Sequence, residues 1–360
     1  MRKLEPNLLP LHIGSVPHTR PPAACDRVLE SFPQIPTWPQ LPRRSFLENM
    51  YVQFSEGFPG VVLGDQRIYV DRTRDLDPAL ERLYLAYLEY DLSHGTTSRD
   101  YAAGLAAFPQ KLATTRHQPL AVKGQVTGPI SWGLTVVDQD RRPVLYDDVL
   151  ADALAKHLRL KAAWQERELL NLAPTTIVFI DEPYMSAFGS AYISLNREQV
   201  ITLLEEVFAG ITGLKGTHCC GNTDWSLLLS TSAEIISFDT YNYAEAFSLY
   251  AEEVRAFLKR GGIIAWGIVP ADDEEALMNE TVESLVKRLH EAMNLLVKKG
   301  IPFDDLIHSS LITPSCGLRT VSEEAAERAF ELTVQVSETM RERCGSPLRG
   351  VPSAAGYGLY

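Results

Sequence analysis

The sequence is short of cysteine, of positive charge and of long apolar runs. Its five cysteines are Cys25, Cys219, Cys220, Cys316 and Cys344. So odd and sparse a set, without framework spacing, excludes a disulfide scaffold and points to a reducing, cytoplasmic setting. Lys and Arg number 34 against 46 Asp and Glu, a formal net charge of −12. Non-specific nucleic-acid binding needs a basic face, so that class is excluded, and an anionic membrane surface is disfavoured. No apolar run reaches the roughly 18 residues of a membrane span, and none follows Met1 to Pro6 as a signal peptide would require. What is present is ordinary: 45% hydrophobic and 22% charged residues in a chain of 360, ample for a large core.

The chain alternates short apolar runs with amphipathic stretches. Strands are expected at Leu9 to Ile13, Gly60 to Gly64, Leu120 to Gly124, Thr176 to Ile180, Leu214 to His218, Ile235 to Phe238, Ile263 to Trp266 and Ser309 to Ile312. Helical patterns lie between them, including a long one from Val149 to Leu172 and one opened by Asp77-Pro78. Thr320-x-x-Glu323 reads as a capping box for the last helix. Phe32 to Pro42, rich in proline, reads as an extended surface segment. Eight strand–helix units without a composition break predict an α/β fold: one (β/α)₈ barrel over residues 1–360, with an N-terminal extension and an irregular tail from Gly345 to Tyr360.

Polar clusters fall at the predicted carboxyl ends of these strands, where such barrels place their chemistry: Gly14-Ser15, Asp181-Glu182, His218/Cys220, Asp239 and Cys316. In an extended segment, residues two apart share a side, so His218 and Cys220 can hold one ion while Cys219 turns into packing. Imidazole and thiolate suit Zn²⁺, and few protein ligands leave room for a substrate. The competing reading is that a buried cysteine is only a small apolar residue. The second segment, Thr313-Pro314-Ser315-Cys316-Gly317, tips the balance to metal. Asp181 reads either as an ammonium partner or as a helix cap before Pro183.

Ile13-Gly14-Ser15, Thr127-Gly128-Pro129, Ile180-Asp181-Glu182-Pro183, His218-x-Cys220 and Cys316-Gly317-Leu318 together resemble the catalytic domain of cobalamin-independent methionine synthase, in a short core form. The wider group includes uroporphyrinogen decarboxylase and corrinoid-dependent methyltransferases. The resemblance implies a zinc ion on His218, Cys220 and Cys316, with Asp239 the nearest match to the family's acidic ligand. It implies homocysteine as the thiol, with Ile13, Gly14 and Ser15 contacting the amino acid and Asp181 receiving its ammonium group. Glu56 is an acid in a loop that could be equivalent. Three features of the family's folate side are missing. Thr135 stands where the stacking Trp belongs, a turn beyond Trp132; Ala187 replaces a Glu; and Trp266-Gly267-Ile268-Val269-Pro270 lacks the His proton donor. A methylated corrinoid on a partner protein, whose leaving group needs no proton, is therefore the expected donor, and no protein proton donor is identified.

Three alternatives stand beside it. A zinc methyltransferase could act on another thiol such as coenzyme M. A porphyrinogen-type decarboxylase would call for an N-terminal arginine cluster, where this chain has only Arg20. A non-catalytic zinc protein would close the ion with four of its own ligands. His12, His18, His94, His117 and His290 read as packing or surface residues, as does Trp38-Pro39. Tyr241 and Tyr243 could line the pocket, and Tyr357 and Tyr360 could fold over its mouth.

Overall fold

A computed structural model describes residues 4–116, 118–190 and 193–345. His117, Tyr357, Tyr360 and the expected irregular tail beyond Gly345 lie outside these residues. Ten strands occur among them: β1 (Leu9–Pro10), β2 (Val61–Gly64), β3 (Arg67–Val70), β4 (Val122–Thr127), β5 (Val137–Asp138), β6 (Thr176–Asp181), β7 (Leu214–Cys219), β8 (Ile235–Phe238), β9 (Ile263–Val269) and β10 (Ser310–Pro314). Seven of them form one curled parallel sheet in the order β1-β10-β9-β8-β7-β6-β4. Helices separate successive strands, as parallel neighbours require. The longest, Asp148–Leu169, carries a cap in which Asp147 accepts from the amides of Val149 and Leu150.

The sheet is buried on both faces, which is why its strands read as apolar runs. One cluster, comprising Leu9, Leu11, Ile35, Ala121, Ile177, Phe179, Ile235, Ile263, Ala265 and Leu311 with Leu4, contains no helical residue, so it is the inner face. The larger cluster joins the outer face to the helices, for example Val178 and Ile180 with Val200, Leu204 and Val207. Along β4 the alternation sends Lys123, Gln125 and Thr127 to the side of their β6 register partners Ile177, Phe179 and Asp181.

Three expectations need correction. Gly60 to Gly64 is not a strand of the main sheet; β2 pairs antiparallel with β3, and β5 adds to β3, in a separate three-stranded sheet. The position expected for it, between β1 and β4, is taken by residues 34–40. The Gln40 amide donates to Gly14 O and the Val16 amide to Gln40 O, while Trp38 N and Lys123 N donate to Lys123 O and Pro36 O. The segment is buried rather than superficial: Ile35, Thr37 and Trp38 have no exposed surface, and the Trp38 indole donates to Gln165 Oε1 at 3.1 Å. Prolines remove the amides that would make a regular ladder, so the pattern concealed a wall of the core. Last, Ser322, not Thr320, caps the helix Glu323–Arg343, accepting from the Ala325 amide.

Candidate metal centre

His218 is the next-to-last residue of β7, and its register neighbours are Asp181 on β6 and Ser237 on β8. Strand alternation brings all three to the inner side of the sheet at its carboxyl end. His218 Nδ1 lies 3.0 Å from Ser237 Oγ, which fixes the ring, and its Nε2 is buried with no partner. Cys220 follows β7, and Cys316 follows β10 in the turn that leads to Gly317. The ligand atoms of His218, Cys220 and Cys316 all lie within 4.8 Å of one another. Cys219 faces the other way, into the outer core, where burial pushes its thiol up.

The hydrogen bond from Cys316, with help from His218, pulls the Cys220 thiol below the ordinary thiol range. Cys316, beside it and buried, is held well above the ordinary thiol range. The cluster therefore offers one thiol inclined to ionise, a second thiol beside it, and an imidazole nitrogen without a hydrogen-bond partner. Such a set fits zinc with one position left open, and the orphaned Nε2 is the atom a zinc ion would satisfy.

Asp239 is not brought into this group. It is the N-cap of the helix Thr240–Ser248: one oxygen accepts from the Asn242 amide at 3.0 Å and the other from its side chain at 2.7 Å. Burial raises its carboxyl to about 6. Asp181 closes β6 with Oδ1 buried and unpartnered, and burial pushes its carboxyl up against the opposing pull of Lys123 and His218. The helix-cap role belongs to Glu182 instead. Its carboxylate accepts from Ile130 N at 2.9 Å, Ser131 N at 2.7 Å and Ser131 Oγ at 2.6 Å, at the start of the helix Pro129–Thr135. Among the described residues, Asp181 Oδ1 is thus left without a hydrogen-bond partner.

The segment from Ile13 to Ser15 runs along the same rim. Gly14 has φ +154°, and a Cβ there would stand 2.9 Å from both Gln125 and Gln40. Leu318 N donates to Ser15 O at 2.8 Å, and a Cβ on Gly317 would meet Ser15 Oγ at 2.2 Å. The Cys316 turn and Ser15 are therefore one packed unit. Glu56 accepts from Ser98 N at 2.7 Å and neighbours Lys161, outside the three-ligand cluster. Tyr241 donates to Glu280 at 2.7 Å beneath Arg288, so it serves the helical layer. Trp132 is buried with its indole on Tyr51 O at 2.7 Å, and Trp266 donates to Ser310 Oγ at 2.7 Å.

Two residues escaped the sequence reading. Ser237 shares the parity of the strand's inner face, and its hydroxyl was not weighed. Lys123 has no exposed surface, yet its Nζ donates to Ile13 O at 2.5 Å and to Gln125 Oε1 at 3.2 Å. The signal was a polar residue at every second position of Lys123-Gly-Gln125-Val-Thr127.

No protein-family model matches the sequence, and no curated protein matches it. Solved structures do. A B12-independent methionine synthase from Shewanella sp. W3-18-1, in complex with selenomethionine, superposes with a TM-score of 0.61 at 16% identity, over 94% of this chain and 100% of that one. A methyltransferase from Methanosarcina mazei superposes with a TM-score of 0.55 at 13% identity, over 92% of this chain and 93% of that one. At these identities the likeness is one of fold.

Proposed function

We propose that this chain is a cytoplasmic zinc-dependent thiol S-methyltransferase that methylates homocysteine to methionine, taking the methyl group from a methylated corrinoid on a partner protein. The observation that carries the reading is the trio His218, Cys220 and Cys316, gathered within 4.8 Å beside a buried, unpartnered Asp181 oxygen. One side of the rim can hold a soft cation and the other an ammonium group. The short core form of the methionine synthase family, the whole chain acting as one catalytic unit, belongs to the same reading. So does a closed eight-membered ring, with residues 34–40 as its irregular strand.

His218, Cys220 and Cys316 would hold zinc, which when bound favours the thiolate form of an incoming thiol. Ser237 keeps the His218 ring aimed inward. Asp181 receives the ammonium group, while the backbone of Ile13 and Gly14 and the Ser15 hydroxyl contact the rest of the amino acid. In the transfer, the acceptor sulfur attacks the methyl carbon. The S–C bond forms, the Co–C bond breaks, and its electron pair remains on cobalt. No proton is needed, in keeping with Trp266 to Pro270, which supply no acid and are buried throughout.

X-ray absorption at the zinc edge, with and without homocysteine, tests the acceptor. The expected result is one zinc per chain and one further sulfur in its shell when the amino acid is added. Sulfur entering with coenzyme M and not with homocysteine would move the assignment to another thiol. Transfer assays with methylcobalamin and with methyl-folate test the donor, and turnover from methyl-folate alone would refute the corrinoid.

A further inference from the structure

His12 is a buried imidazole that the proposed reaction does not use. Strand alternation turns it away from the inner face that holds Leu11 and into the helical layer. There it stacks on Phe32, ring centres 5.9 Å apart, and makes a T-shaped contact with Phe330 at 5.2 Å. It has no exposed surface. Its Nδ1 accepts from the Gly14 amide at 3.2 Å. An amide only donates, so Nδ1 presents the lone pair and Nε2 carries the hydrogen. Burial keeps the ring neutral, lowering its pKa to about 3. Nε2 is buried with no partner. An apolar side chain would fill the same slot without stranding a donor. What the imidazole adds is the acceptor for Gly14.

That bond grips one end of a peptide plane. Across the Ile13–Gly14 peptide, the N–H goes to His12, while the carbonyl accepts from Lys123 Nζ at 2.5 Å. The next carbonyl, Gly14 O, accepts from Gln40 N at 3.0 Å. Glycine has the widest choice of backbone angles, so the φ of +154° at Gly14 has to be held from outside. Without the imidazole acceptor the buried Gly14 amide would lack a partner, and the plane would rotate toward one. Ser15, the one partly exposed residue among residues 11–15, would turn with it.

We propose that His12 is a positioning residue for amino-acid recognition. Through its bond to Gly14 it fixes the Ile13–Gly14 peptide, and so the orientation in which Ser15 meets the carboxylate of an amino-acid thiol. The inference rests on the contacts proposed for Ile13 to Ser15. It goes beyond them, because His12 lies on the opposite side of the strand from the ligand and touches none of it.

Calorimetric binding of homocysteine and of its des-carboxy analogue, 3-mercaptopropylamine, to the zinc-loaded protein tests it without any methyl donor. The wild-type chain should prefer homocysteine. His12→Asn places a carbonyl oxygen where Nδ1 stood and should keep that preference within about twofold. His12→Leu has nearly the shape of His12→Asn without the acceptor. It should reduce the preference about tenfold, at unchanged zinc content and with the wild-type circular dichroism spectrum. His12→Gln carries its oxygen toward the place of Nε2, away from Gly14, and should behave like His12→Leu; it replaces that variant if His12→Leu does not fold. Preference retained in His12→Leu overturns the inference. So does equal loss in His12→Asn and His12→Leu, or a weakening of both thiols together, since each marks a ring that only packs. A wild-type chain without the preference removes the contacts proposed for Ile13 to Ser15, and the role of His12 with them.

Discussion

Replacing Gly128 by alanine would isolate the packing that leaves Asp181 free. Gly128 has φ −74° and ψ 160°, a conformation alanine adopts without strain, so any effect is steric. The added Cβ would stand 2.1 Å from Glu182 Oε1, 2.3 Å from its Cδ and 2.6 Å from its Cγ. The carboxylate must leave, and the Ile130 and Ser131 amides and the Ser131 hydroxyl lose their acceptor. Each stranded buried donor costs about 1–3 kcal/mol, so for the three a loss of roughly 3–9 kcal/mol is expected. Urea unfolding of Gly128→Ala, Glu182→Ala and the double variant measures it. With Glu182 truncated, the new methyl has room, and Gly128→Ala should then cost less than about 1 kcal/mol, a strong non-additivity. Equal losses in both backgrounds, or a loss of less than about 1 kcal/mol for Gly128→Ala alone, would refute the reasoning.

Cys316→Ser should lose zinc and methyl transfer together while keeping the wild-type circular dichroism spectrum; a variant that still transfers methyl would remove Cys316 from the ligand set. Ser237→Ala frees the His218 ring, and zinc affinity measured against a competing chelator should fall about 10- to 100-fold. Asp239→Ala should keep its zinc, because both Asp239 oxygens are engaged with Asn242, while the lost helix cap lowers stability by about 0.5–2 kcal/mol; zinc loss would instead make Asp239 a ligand. Near neutral pH, zinc uptake should release fewer than two protons from the cysteine pair, because the hydrogen bond between them holds the Cys220 thiol below the ordinary thiol range while Cys316 is held above it. Calorimetry in buffers of different ionisation enthalpy counts them, and two thiol protons would contradict the assigned states.

The legible parts of this molecule were those whose signal is local. β6, β8 and β9 are apolar runs, β6 and β8 running into Asp181 and Asp239, and their places agree with the sequence within a few residues. His218, Cys220 and Cys316 were legible because each follows such a run. Residues 34–40 were not, since proline erased the hydrogen-bonding pattern while burial was retained. Asp239 looked like a ligand because Asp at a strand end serves equally as a metal donor and as a cap; only the position of Asn242 distinguishes them. Asp181 and Glu182, adjacent carboxylates, could not be told apart by composition. The Gly128 backbone, made for Glu182, settles which one faces inward. Lys123 is hidden in β4 because Val122 and Val126 carry the apolar signal of a strand whose alternate positions are Lys123, Gln125 and Thr127.

The place of β1 beside β10 bears on how the chain assembles its sheet. β1 finds its only regular ladder with β10, Leu9 opposite Leu311 and Pro10 opposite Ile312. During synthesis the side of β1 that faces β10 must wait until about three hundred residues later its mate emerges. Contacts of such separation close slowly. Meanwhile residues 34–40, which bond to Gly14 and Val16 on one side and to Lys123 on the other, can already be in place, so the side of β1 that faces β10 is the one left waiting.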